Sequence, residues 1–351
     1  MLDLPLLCLG NTKLYHFSMK FKLIFSILFF GLFPLIMDAQ ESMPAMPGKW
    51  QSVASTDGSE PVQRHEAAFV RIGKRFYLLG GRGIRPVSIY DTGTSTWSEG
   101  AAPPVEIHHF QPVVYKNKVY IIGALTGPYP GETPLPKVII YDPASDSWSE
   151  GATIPEGRRR GSAGLSVYKN KIYIACGIKD GHRGDHKKWL DSYDPRTDTW
   201  EVLPDAPRAR DHFQTVRIKN KLYLVGGRRS AAPDNVFNDL EGKVDVFDLK
   251  KKQWSTIVDE LPTKRAGLFL TVIPKNKIVV LGGETGGQQL AHSEMEVLDT
   301  KSGAWESWAP MIQGRHGTGA ILFQGEVFVA SGCGNRGGSP ELKTMEVFKL
   351  K

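Results

Sequence analysis

Six tryptophans, Trp50, Trp97, Trp148, Trp200, Trp254 and Trp305, recur about fifty residues apart. A fixed period of that length restricts the chain to an array of like units stacked on one another. Two further landmarks keep the same pace. An apolar run ends in a Gly-Gly-like pair at Gly80-Gly81, Gly123-Ala124, Cys176-Gly177, Gly226-Gly227, Gly282-Gly283 and Ser331-Gly332. An aromatic-acid or related pair precedes each internal Trp, at Tyr90-Asp91, Tyr141-Asp142, Tyr193-Asp194, Phe247-Asp248 and Leu298-Asp299. Within each unit, short apolar runs alternate with turn signals, the pattern of a strand meander. Lys116-Asn117-Lys118, Lys169-Asn170-Lys171 and Lys219-Asn220-Lys221 read as tight hairpin turns, because Asn tolerates positive φ.

Taken together, these landmarks resemble the kelch repeat, over roughly Trp50 to Lys351. The resemblance implies an all-β fold, a six-bladed kelch β-propeller. The sixth repeat ends at Met345-Glu346-Val347-Phe348 without its Trp, and Trp50 stands unpaired before the first. The N-terminal strand around Trp50 is therefore expected to complete the last blade and close the ring, which removes exposed sheet edges.

Composition bears mainly on location and partners. The net charge is +7, which by itself would suggest nucleic acid. The amino terminus argues otherwise. Met19-Lys20-Phe21-Lys22 is a basic head, and Leu23 to Met37 is an apolar run short of a membrane span. Residues 1–39 read as a signal peptide, with Met19 as an alternative start, and residues 40–351 as a single propeller domain. The expected location is secreted or periplasmic, with no nucleic-acid partner and no stable membrane insertion after cleavage. The positive charge then points to an anionic small molecule or glycan, or to an acidic protein segment. Cys176 and Cys333 fall in different repeats, so two buried thiols are expected rather than a disulfide.

In a four-stranded blade the loop before strand one and the loop from strand two to strand three share one face. Counting back thirteen residues from the strand-two aromatic, with one insertion allowed for in repeat five, gives Arg64, Ile107, Arg160, Arg210, Arg265 and Arg315. Five of these six positions are Arg, so the guanidiniums are expected to converge on the channel mouth as an anion-binding ring. His65, His108, His109 and His316 lie beside them as further ligand-binding candidates. His182 and His186 have a spacing that suits a metal on a helix, but they sit in a loop with Lys187 and Lys188. No metal and no cofactor is expected.

Secreted kelch propellers include proteins similar to N-acetylneuraminate epimerase, a sialic acid mutarotase. That resemblance implies a carboxylate clamp, for which Arg210, Arg265 and Arg315 are candidates. It also implies proton-moving groups, for which Glu66, Glu284 and His212 are candidates. Two readings stay open: a mutarotase or epimerase for an acidic carbohydrate, and a non-enzymatic propeller that binds protein or glycan at the same face. A copper-radical oxidase of the galactose oxidase kind is disfavoured, because the Tyr residues fit strand positions.

Overall fold

Each of the first five repeats forms four antiparallel strands joined in sequence, and the hairpins of the second and third blades take the turn the sequence predicts, whereas in the fourth blade only Lys219, and not Asn220, has positive φ. In the second blade Lys116 and Asn117 have φ of 49° and 59°, and in the third Lys169 and Asn170 have 46° and 64°. Positive φ at both central residues is the turn whose twist matches its flanking strands. The computed structural model describes residues 47–350. The signal-peptide reading of residues 1–39 lies outside the described residues.

Six such sheets are present among the described residues. Their first strands are Ala67–Ile72, Val113–Tyr115, Gly164–Tyr168, Gln214–Ile218, Phe269–Ile273 and Ala320–Phe323. Each first strand touches that of the next blade, and the sixth touches the first, so the array is a closed ring. The sixth blade takes its outer strand from the other end of the chain. Gly48–Val53 pairs antiparallel with Met345–Leu350, with Trp50 opposite Phe348. The expected closure by the N-terminal strand is the observed one. It leaves the final strand paired on both sides.

The core lies between the blades. Trp148 Nε1 donates to Ala101 O at 2.9 Å, Trp254 Nε1 to Pro204 O at 2.8 Å, and Trp50 Nε1 to Ala309 O at 2.8 Å. Each bond runs to the stretch that follows the preceding blade, so the tryptophans tie neighbours together while burying most of their rings. Trp200 departs from the pattern: its buried Nε1 has no partner.

Two glutamines cross the axis below one face. Gln111 accepts from Leu165 N and Thr215 N and donates to Thr215 O. Gln214 accepts from Leu270 N and donates to Thr318 O. They plug the channel and give the mouth above them a floor.

Candidate active site

The arginine ring is turned away from the mouth. Arg64, Arg160, Arg210, Arg265 and Arg315 are all buried, and each donates to the carbonyl of the first residue of its own Gly-like pair. The acceptors are Gly80 O at 3.0 Å, Cys176 O at 2.6 Å, Gly226 O at 3.1 Å, Gly282 O at 2.5 Å and Ser331 O at 3.0 Å. Those five acceptor residues have φ between 53° and 71°. A left-handed residue turns its carbonyl off the ladder, and a buried carbonyl must find another donor. The guanidinium is that donor.

Its charge is met by the side chain two residues before the strand-three aromatic. Arg160 Nη1 lies 2.8 Å from Asp191, Arg210 Nη2 2.6 Å from Asp245 and Arg315 Nη2 2.5 Å from Glu346, while Arg265 pairs with Glu296. Arg64 has Ser88 instead, at 3.2 Å. The second blade, which lacks the Arg, carries Ile107 and Ile139 at the two positions, both buried in one apolar cluster. The expectation that these guanidiniums form a ligand clamp is corrected accordingly. All five cap carbonyls, and all but Arg64 pair with an acid inside their blades.

The mouth is built by the residue two positions further on. Glu66, His109, Ser162, His212, Gly267 and Gly317 occupy it in blades one to six, and all six have φ between 50° and 64°. Their main chains link around the axis. His109 N donates to Glu66 O, Ser162 N to His109 O, Gly267 N to His212 O, Gly317 N to Gly267 O and Ala67 N to Gly317 O. Between blades three and four, His212 N donates to Ser162 Oγ instead, at 2.8 Å. Four non-glycine residues thus hold a strained conformation, the kind that persists where surroundings enforce it and that clusters at functional sites. Gly is required at position 317, where a Cβ would lie 2.7 Å from Glu66 N.

A second tier comes from the residue after each Gly-like pair. It supplies Arg82, Arg228 and Glu284 in blades one, four and five, and apolar Leu125, Ile178 and Cys333 elsewhere. With the first tier it surrounds a cleft of about 340 Å³, lined by His65, Glu66, Arg82, His109, His182, Arg228 and Glu284, with an apolar wall of Tyr129, Val236 and Phe237. Phe237 lies over the Arg228 guanidinium at 4.9 Å.

Two clusters of titratable groups face this space. In the first, Glu66 and Glu284 flank His316, whose Nδ1 is 3.6 Å from Glu66 and whose Nε2 is 3.6 Å from Glu284. His316 Nε2 also donates to Asn335 O and Gly337 O, both at 2.9 Å. Burial works against the imidazolium, but Glu284 and Glu66 outweigh it and raise the His316 pKa to about 10. Glu284 accepts from Arg228 Nη1 at 2.6 Å and from Gly337 N at 2.9 Å. Burial would raise its pKa, yet His316 and Arg228 hold it down at about 2.

The second cluster joins His109, His182 and His212, whose ring centroids stand 4.8 to 4.9 Å apart in pairs. His182 Nδ1 lies 2.9 and 3.0 Å from the two oxygens of buried Glu132, which also pairs with Arg82. His212 Nδ1 bonds buried Asp211, which Ser230 N and Oγ hold at 3.0 and 2.8 Å. Burial would raise the Asp211 pKa, but His212, His186 and Arg228 keep it well below the ordinary range.

Of the candidates read from the sequence, Glu66, His65, His109, His212, Glu284 and His316 converge at the mouth. His108 stands one step behind, its Nδ1 2.7 Å from that of His109. His182 and His186 part company: His182 faces His212, while His186 Nε2 stands 3.1 Å from Asp211. Glu132, Tyr129, Val236 and Phe237 carry no repeat signal, because they sit in irregular two-to-three loops. A small hairpin, Leu125–Thr126 with Thr133–Pro134, holds Glu132 in place.

The ring and its mouth define a six-bladed propeller with a buried acid–imidazole site on its axis. The comparisons agree on the architecture. A family model described as the KLHDC2/KLHL20/DRC7 Kelch-repeats domain matches residues 45–227, and a Kelch motif model matches residues 209–259. Kelch-like protein terF of Aspergillus terreus is 31% identical over 327 residues, covering 85% of this chain and 68% of that protein. Kelch-like protein 25 of Xenopus tropicalis is 25% identical over 257 residues, covering 70% of this chain but only 41% of its own length. A solved structure titled "Structure of YjhT" superposes with a TM-score of 0.69 at 15% identity, covering 84% of this chain and 98% of that one. The chain belongs to the kelch-repeat family.

Proposed function

We propose that this chain is a small-molecule enzyme that binds a hydroxylated, anionic ring compound of the acidic-sugar class in the mouth cleft and moves a proton on it. The observation that carries this reading is Glu66. It sits on the axis in a left-handed conformation, with its carboxylate buried. Its ring-nitrogen neighbours are His109 Nε2 at 3.5 Å and His316 Nδ1 at 3.6 Å, contacts too long for good hydrogen bonds. The oxygens therefore keep capacity for a ligand proton, which is what a general base needs. Tyr129 and Phe237 offer flat apolar surface for a ring. Arg82 and Arg228 take over the anion-facing role that the five buried arginines do not fill. A surface made only to bind a protein has little use for so many ionisable groups sunk below it.

Anomer exchange of N-acetylneuraminate, followed by NMR against neutral sugars, tests the reading. The protein is expected to accelerate exchange of the acidic sugar. Glu66→Gln should slow it by about 10²–10⁴-fold, the range of a lost general base, while the dissociation constant changes less than about tenfold. Arg228→Gln should weaken binding by roughly ten- to a hundredfold. If neither class of sugar binds or exchanges, the reading fails.

A further inference from the structure

We propose that His109, His182 and His212 form a binding site for a divalent transition-metal ion, held by three imidazoles with its remaining coordination open to the cleft. One ring nitrogen from each residue lies within 4.8 Å of one from each of the others, and all three side chains are buried. They come from three successive blades, two of them from the strained ring positions, so no local turn or helix brings them together.

The tautomers give the argument its direction. His182 Nδ1 faces a carboxylate, so it carries the proton and leaves a lone pair on Nε2. His212 Nδ1 faces Asp211 and does the same. The third follows by relay. His108 Nε2 donates to Gly127 O at 3.1 Å, so its Nδ1 is an acceptor. That acceptor is met at 2.7 Å by His109 Nδ1, which must donate, and His109 Nε2 is left with a lone pair. Three lone pairs therefore converge. Two of them, on His182 and His212, face one another at 3.2 Å. Ligands on a tetrahedral ion at about 2.05 Å stand roughly 3.3 Å apart, so the spacing already suits a shared cation. Donation of the outer ring nitrogen to a carboxylate or another acceptor is the usual support behind a metal-binding histidine. Here Glu132, Asp211 and His108 provide it.

The neighbouring cluster of Glu66, Glu284 and His316 offers one imidazole rather than three. His316 spends Nε2 on two carbonyl oxygens, while its Nδ1 stands 3.6 Å from Glu66, beyond hydrogen-bond range. The proposal departs from the expectation of no metal, which weighed His182 with His186. The fold separates that pair and gives His182 partners 50 and 30 residues away. Three imidazoles with an open position suit zinc, and equally cobalt or another late divalent ion.

The test uses the full chain without a polyhistidine tag, stripped with chelator and titrated separately with Zn²⁺ and Co²⁺. The expected result is one equivalent bound per chain, a higher melting temperature with zinc, and the visible absorption of low-coordinate Co²⁺. His182→Ala and His212→Ala should abolish binding. Glu132→Gln, which leaves all three imidazoles in place, should weaken it by about 10–100-fold. His292→Asn, outside the triad, should bind like the parent. Folded parent protein that takes up no ion, or uptake unchanged in His182→Ala and His212→Ala, would overturn the proposal. The Co²⁺ spectrum of the parent decides the matter even if a variant fails to fold. No sugar enters this experiment, so the metal site and the sugar reading succeed or fail separately.

Discussion

At the scale of single residues, His316 shows how a buried charge is kept. Its folded pKa of about 10 lies above the ordinary value of 6.5. A group raised on folding adds stability that is complete below its unfolded pKa and is lost as pH climbs through the folded one. The advantage of the parent over His316→Gln should therefore be full below pH 6.5, shrink steadily above it, and vanish near pH 10. Glu284 has the opposite sign: held at about 2 rather than 4.5, it contributes above pH 4.5 and loses that contribution as pH falls toward 2. Melting curves of the two proteins across pH check this. A difference that stayed flat through pH 10 would mean His316 is not charged in the fold.

At the scale of the element, blades three to six repeat one buried device, an arginine that caps a displaced carbonyl and pairs with an acid on strand three. Breaking such a pair leaves an uncompensated buried charge, so Arg315→Ile should cost about 3–5 kcal/mol. The second blade shows the escape, since Ile107 and Ile139 fill both positions there. Adding Glu346→Ile to Arg315→Ile should recover more than about 1 kcal/mol, because two apolar side chains replace the pair without stranding a charge. Urea unfolding of the parent, both single variants and the double variant measures the coupling. A double variant no more stable than Arg315→Ile would show that carbonyl capping, not charge pairing, dominates.

At the scale of the whole molecule, stability depends on joining the two ends of the ring. Trp50 packs on Phe348 with ring centroids 5.4 Å apart and is itself buried. Trp50→Ala should cost about 3–5 kcal/mol, the range for a buried aromatic removed from a core. Deleting residues 48–53 should do more, because it also exposes the edge of Met345–Leu350. The expected outcome is a sharp fall in melting temperature together with self-association in light scattering. A deletion variant that melts like the parent and stays monodisperse would show that closure contributes little.

The architecture was legible in local signals along the chain. Turn residues, Gly-like pairs and tryptophans act within a repeat, through local backbone preference and burial, so the six blades could be counted, and the unmatched Trp50 identified the closing strand. The mouth was legible as a set of positions, which is why Glu66, His109, His212 and Glu284 were found. Where those side chains point was a different matter. Arg64 and Arg210 start at the mouth, yet their guanidiniums turn inward because left-handed residues at Gly80 and Gly226 leave carbonyls in need of donors. That need belongs to the folded ladder and is invisible along a string of letters, although the matched Ile107 and Ile139 leave a trace of it. Folding alone brought His182 to His212 and Glu132. Those contacts join loops of different blades, whose paths are set by packing around the axis and not by the repeat.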